Sequence, residues 1–186
     1  ATPLFVPFAV IGLIGVAGAG GLLLTQGYRM ERITVWLDPA ASEKGHQTIQ
    51  GLYAIGSGGL FGKGLGQSMQ KLGFLPEANN DMIFSVICEE LGLFGALCVL
   101  ALFFALIWRF MVIAVNAPDL YGSMIVVGVI AHIGIQVFIN IAVATNTIPN
   151  TGIPLPFISY GGSSLVFMLL EMGLVLSVSR YINVKK

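Results

Sequence analysis

Charge is what this sequence is short of. Lys, Arg, Asp and Glu make up 10% of its 186 residues, nine basic against nine acidic, where a typical soluble domain carries about 25%. So few charges cannot cover a water-facing surface, and a net charge of zero provides no field to draw nucleic acid. Cysteine is scarce too. Cys88 and Cys98 are ten residues apart in one apolar segment, about 15 Å along a helix, too far for a disulfide. They read as small core residues and carry no information on redox compartment. No positive stretch precedes the first apolar residues, so a signal peptide is a poor reading, and a start at Ala1 is expected of a piece cut from a longer protein. What abounds is hydrophobicity: 56% of residues and a mean hydropathy of +0.88. Together these exclude an ordinary soluble domain and predict an all-α polytopic membrane protein.

Four apolar stretches read as transmembrane helices, at about 3–25, 82–108, 120–145 and 164–178. Gly15, Gly18, Gly20 and Gly21 give the first a smooth stripe suited to close helix packing, or simply a flexible end. Residues 26–81 are polar, with five basic and five acidic residues. Trp36 and Tyr53 suit an interface, and Asp38-Pro39 signals a turn. Ile49, Leu52 and Tyr53, and then Leu65, Met69 and Leu72, stand at helical spacing ahead of glycines. They predict two short helices lying on the membrane surface. The loop 146–163 holds three prolines and no charge, so it must pack in protein or line a cavity. Orientation follows from the short flanks. Arg180, Lys185 and Lys186 place the C-terminus in the cytoplasm, which puts 109–119 inside and both long loops, 26–81 and 146–163, outside.

Chemistry concentrates in the stretch from Gly56 to Gly92. Asp81 stands where a polar loop meets an apolar segment, as either a helix-capping aspartate or a functional carboxylate of shifted acidity. GLFGKG is not a Walker A loop, because Gly64 stands where a magnesium-holding Ser or Thr belongs. The loop can hold a phosphate through backbone N–H groups with Lys63 and Lys71, or be solvated turns. Glu89 and Glu90 lie inside an apolar segment, where an ionisable residue faces a partner or water. Structural pairing with a partner helix is the expected role, and Glu171 is read in the same way. His132, Gln136 and Asn140 make a polar stripe, a weak ligand set for a metal and a good one for interhelical hydrogen bonds. His46 has no evident ligand partner. At the start of the last segment, Ser159, Gly161, Gly162, Ser163 and Ser164 offer hydroxyls and backbone to an anion, or form a plain glycine-bearing helix entry.

The stretches GSGGLFGKGLGQSMQKLGFLPEANNDMIFSVICEELG and NTIPNTGIPLPFISYGGSSL resemble the signatures of the SEDS (shape, elongation, division and sporulation) family, the FtsW/RodA/SpoVE proteins of the bacterial cell wall. The similarity covers the C-terminal half of that family's ten-helix bundle and implies four of its transmembrane helices. It also implies a multi-pass protein of the bacterial plasma membrane. The implied activity is that of an inverting peptidoglycan glycosyltransferase that polymerises lipid II beside a class B penicillin-binding protein, for division, shape or sporulation. Asp81 matches the family's essential acidic residue. Asn79, Asn80 and Met82 depart from its usual neighbours, which bears on fine specificity. Lys63, Gln67, Ser68, Lys71 and Glu77, with Ser159, Gly161, Gly162, Ser163 and Ser164, are expected to hold substrate, while Glu89, Glu90, His132 and Glu171 are expected to be structural. No cofactor is required by this reading, although a divalent cation can neutralise the leaving diphosphate. Two other readings come from different classes: a flippase for the lipid-linked precursor, using the polar groups in the bundle, and a scaffold that recruits a synthase.

Overall fold

The computed structural model describes residues 27–42, 45–70 and 80–182. The first apolar stretch, Leu72, Lys71, Glu77 and the terminal lysines lie outside them. All regular structure among the described residues is helical. Two compact units divide the chain after Gly45. The first holds α1 (Gly27–Leu37) and a 3-10 turn, Pro39–Ala41. Asp38 caps the turn, its Oδ1 accepting from Ala41 N at 3.2 Å, and Pro39 gives up only an N–H that has no intrahelical partner at that position. A helix at 27–37 departs from the loop expected there. Met30, Ile33 and Leu37 keep an i, i+3, i+7 spacing that the polar composition of the stretch masks.

The second unit holds α2 (His46–Gly58), α3 (Ile83–Val115), α4 (Leu120–Ala144) and α5 (Gly162–Arg180). The last three are each long and apolar enough to cross a membrane. They share a core of Phe103, Phe110, Val126, Ile133, Met168 and Val175. Their outward faces are apolar too, with Phe104, Trp108, Phe138 and Leu170 exposed. Helices apolar on all sides belong in a membrane or against further protein rather than in water.

At 33 residues, a straight α3 would be about 50 Å long. It is not straight. Gly92 has φ 68° and ψ −167°, a region open essentially to glycine alone. Met82 and Val86, before the break, cluster with Val143 near the end of α4. Leu100, Phe103 and Phe104, after it, line a cavity with Val137, Phe138 and Ile141 of the same end. Residues on either side of Gly92 thus reach one end of α4, so α3 is folded at the glycine. The second arm, Leu93–Val115, is about 34 Å long, sufficient alone for a hydrocarbon core of ~30 Å. Glu89 and Glu90 belong to the first arm.

Of the two short helices expected in this loop, the first forms. α2 forms over Ile49, Leu52 and Tyr53, but it lies alongside the first arm of α3. Gln47 approaches Asp81, a Cβ on Gly51 would touch Ser85, and one on Gly58 would strike Cys88 O. The two helices therefore run parallel and side by side. Around Leu65 no α-helix forms over residues 61–69. Gly62, Gly64 and Gly66 have φ of 76°, 105° and 79°, and three left-handed residues at every second position prevent a right-handed helix.

Candidate active site

Three segments converge on the turn that carries Asp81. From α4, the amide of the fully buried Asn140 donates to Asp81 O at 2.7 Å and to Ile153 O at 2.9 Å. From the proline-rich loop, Ser159 Oγ donates to Asn80 O at 2.5 Å and accepts from Leu155 N at 2.7 Å. From α2, Gln47 Nε2 lies 3.4 Å from Asp81 Oδ1. The two loops that carry most of the sequence signal therefore meet at the turn bearing Asp81, which is 7% exposed. The N-cap position of α3 falls on Met82, one residue later, without a side-chain cap bond. Fixed from both sides through its backbone, Asp81 is held within a narrow range of positions, as a positioned acid or base must be.

Glu89 is the other centre. It is 0% exposed and accepts from Lys63 Nζ at 2.6 Å, Ser68 Oγ at 2.5 Å and Gln70 N at 3.4 Å. Ser57 Oγ lies 3.5 Å from the same carboxylate. Glu90 takes Gly66 N at 3.0 Å and Ser68 N at 3.4 Å. The backbone repeats the pattern. In an unbroken helix Leu93 N–H and Phe94 N–H would bond the carbonyls of Glu89 and Glu90. Here they bond Gly59 O at 2.9 Å and Leu60 O at 3.1 Å, and the two glutamate carbonyls receive Lys63 N and Gly64 N at 2.9 Å each. The glycine-rich loop thus fills the break in α3, and all four groups stranded by Gly92 are satisfied. The approach leaves no room for a side chain: a Cβ on Gly62 would fall 2.2 Å from Glu90 O.

These contacts change several assignments. Lys63 was expected at a diphosphate; its charge is already matched by Glu89. Ser68 was expected on substrate; its hydroxyl and N–H are spent on Glu89 and Glu90. Glu89 is indeed paired, but with a loop rather than a neighbouring helix. A lysine and a glutamate 26 residues apart in sequence show no local spacing signal, and the break that brings them together is legible only as one glycine. Ser159 serves the fold of the Asp81 turn. Gln67 stays exposed, and Gly161, Gly162, Ser163 and Ser164 form the start of α5, with Gly161 at its N-cap. His132 and Glu171 meet at 2.7 Å across α4 and α5, with Gln136 at 2.9 Å from the other ring nitrogen. Cys88 and Cys98 are free thiols. Among the described residues no group of three His, Cys, Asp or Glu could hold a metal ion.

Comparison with known proteins places this geometry. A family profile described as "Cell cycle protein", covering FtsW, RodA and SpoVE, matches residues 2–184. Stage V sporulation protein E of Bacillus subtilis (strain 168) is 56% identical over 178 residues, covering 94% of this chain and 48% of that protein. The probable peptidoglycan glycosyltransferase FtsW of Geobacter sp. (strain M18) is 43% identical over 171 residues, covering 91% and 47%. A chain of the structure "Structural coordination of polymerization and crosslinking by a peptidoglycan synthase complex" superimposes with a TM-score of 0.69 at 29% identity, covering 98% of this chain and 50% of that one. The rod shape determining protein RodA of Thermus thermophilus does so with a TM-score of 0.54 at 38% identity, covering 71% and 39%. The chain spans about half the length of the curated relatives it matches. By its match over almost its whole length, it belongs to the FtsW/RodA/SpoVE family of cell cycle proteins.

Proposed function

We propose that this chain carries the catalytic aspartate of a peptidoglycan glycosyltransferase in the bacterial plasma membrane, one that polymerises lipid II. The observation that carries the reading is the convergence of Asn140, Ser159 and Gln47 on the Asp81 turn, in a chain whose relatives include proteins named peptidoglycan glycosyltransferase. Asp81 accepts the proton of an acceptor sugar hydroxyl while that oxygen bonds to the anomeric carbon of the donor. The bond to the lipid diphosphate breaks, and the diphosphate leaves with the electron pair. Inversion at the anomeric carbon needs no covalent enzyme intermediate, so a single carboxylate suffices, unlike a hydrolase that also activates water. With Lys63 engaged by Glu89, charge neutralisation of the leaving group falls to Lys71, to the α5 N-terminus at Gly161–Ser164, or to a divalent cation.

The second arm of α3, with α4 and α5, crosses the bilayer. The C-terminus is cytoplasmic, and the Asp81 turn lies on the outer side. A class B penicillin-binding protein is the partner this reading implies. The test reconstitutes the full-length protein with its synthase in liposomes and follows labelled lipid II. Glycan strands support the proposal. Movement of lipid II across the bilayer without strands would make the protein a transporter, and synthase binding alone would make it a scaffold.

A further inference from the structure

The turn joining α2 to the glycine-rich loop is apolar at its tip and water would not tolerate it well. Leu60 is 65% exposed and Phe61 83%. The turn is nonetheless held in place. Gly62 N donates to Gly58 O at 2.8 Å, and the carbonyls of Gly59 and Leu60 accept from Leu93 and Phe94. The charge nearest in sequence, Lys63, is drawn back to Glu89. The exposed pair is fixed beside Leu93, Phe94 and Leu97, which are themselves 53%, 66% and 54% exposed at the start of the membrane-length arm of α3.

We propose that the Leu60–Phe61 turn is a wedge embedded in the bilayer, its side chains packed among lipid acyl chains. The backbone of the turn is bonded to Leu93 and Phe94, so its exposed side chains stand beside the exposed start of the membrane-length arm of α3, and the same solvent is inferred to cover both. Irregular backbone at membrane depth requires its polar groups to be satisfied by protein, and the bonds from Leu93 and Phe94 satisfy two of the carbonyls here. α2 runs beside the first arm of α3, the chain turns at the level of Leu93, where the membrane-length arm begins, and it returns through the loop held by Glu89. This inference rests on the membrane spans and is independent of the glycosyl-transfer reading.

The test places a nitroxide at Phe61→Cys in full-length protein lacking Cys88 and Cys98, reconstituted in nanodiscs, and measures its collision with oxygen and with a water-soluble nickel chelate. Labels at Phe104→Cys, on the exposed face of the second arm of α3, and at Thr151→Cys, in the proline-rich loop, set the lipid and water limits. The expected result is preferential collision with oxygen, as at Phe104. Collision with nickel, as at Thr151, would overturn the proposal, and so would low accessibility to both reagents, which would mean that protein covers the turn. Phe61→Trp, in a protein whose Trp36 and Trp108 are replaced by Phe, gives a second reading with less disturbance. Brominated lipid should quench its fluorescence, and the absence of quenching counts against the wedge.

Discussion

Removing the lysine of the Lys63–Glu89 pair should cost far more than removing both partners. Among the described residues, Lys63→Met leaves a carboxylate with 0% exposure supported by Ser68, Gln70 and a long contact to Ser57. Stranding a buried charge in this way typically costs 3–5 kcal/mol. Because the lysine side chain is itself 36% exposed, part of the pair is screened, and about 3 kcal/mol is the better figure. Glu89→Gln keeps the shape and an acceptor for Ser68 and strands only a lysine that can turn to water, so about 1–2 kcal/mol is expected. The double variant Lys63→Met/Glu89→Gln removes both charges and should fall within ~1 kcal/mol of wild type, a coupling of roughly 3–5 kcal/mol. Thermal melts of the full-length protein in one detergent, scaled by a chemical or steric unfolding titration, measure all four members of the cycle. Additive losses, or a Lys63→Met variant as stable as wild type, would refute the clasp and return Lys63 to the pool of diphosphate ligands.

Other outcomes follow from the same geometry. Gly92→Ala should abolish folding or membrane insertion, because the residue sits at φ +68° and its Cβ would come 2.4 Å from Gly62 N, whereas Gly128→Ala, with nothing within 4 Å, should be neutral or slightly stabilising; expression and melting of both variants check this. Asn140→Ala removes a buried hydrogen bond to Asp81 O and a part-buried one to Ile153 O, so it should cost about 2 kcal/mol and lower strand formation more than substrate affinity. Against a Cys98→Ser background, cysteine at Thr151 should react with an impermeant thiol reagent from outside the cell and cysteine at Asn116 should not; the reverse pattern would put Asp81 on the wrong side for the proposed substrate.

Much of this was legible in the sequence, and the limits have physical causes. The scarcity of charge and the long apolar runs determine the all-helical membrane class, because composition alone decides whether a surface can face water. Asp81, the proline-rich loop and the polar stripe of α4 stood out as residues that a bilayer tolerates only with a purpose. The stripe in turn holds the key to the site, since Asn140 is the donor that fixes the aspartate. What could not be read was how the chain folds back. A single glycine among 24 breaks α3, and its left-handed φ has no signature that separates it from ordinary helical glycines such as Gly128. Once α3 is bent, Glu89 ceases to be a carboxylate deep in a straight span and becomes the anchor of a loop, and Lys63 and Ser68 move from substrate to scaffold. The helix at 27–37 was hidden for a different reason: three charged residues in its length outweighed an apolar spacing that was present.

The central claim is that Asp81 is the general base, and the most direct measurement is glycan-strand formation from lipid II by the full-length protein carrying Asp81→Asn, together with its partner synthase. Asparagine preserves size, can still meet Gln47, and leaves the backbone bonds from Asn140 and Ser159 in place, so insertion and partner binding should be intact. Strand formation should fall ~10²–10⁴-fold, the usual contribution of a positioned acid or base. Asp81→Glu should restore little, because the Asn140 and Ser159 bonds hold the backbone and an added methylene moves the carboxylate by about an ångström. An asparagine variant that makes strands at the wild-type rate would contradict the account: the buried turn would then be structural, and the base would have to be sought elsewhere.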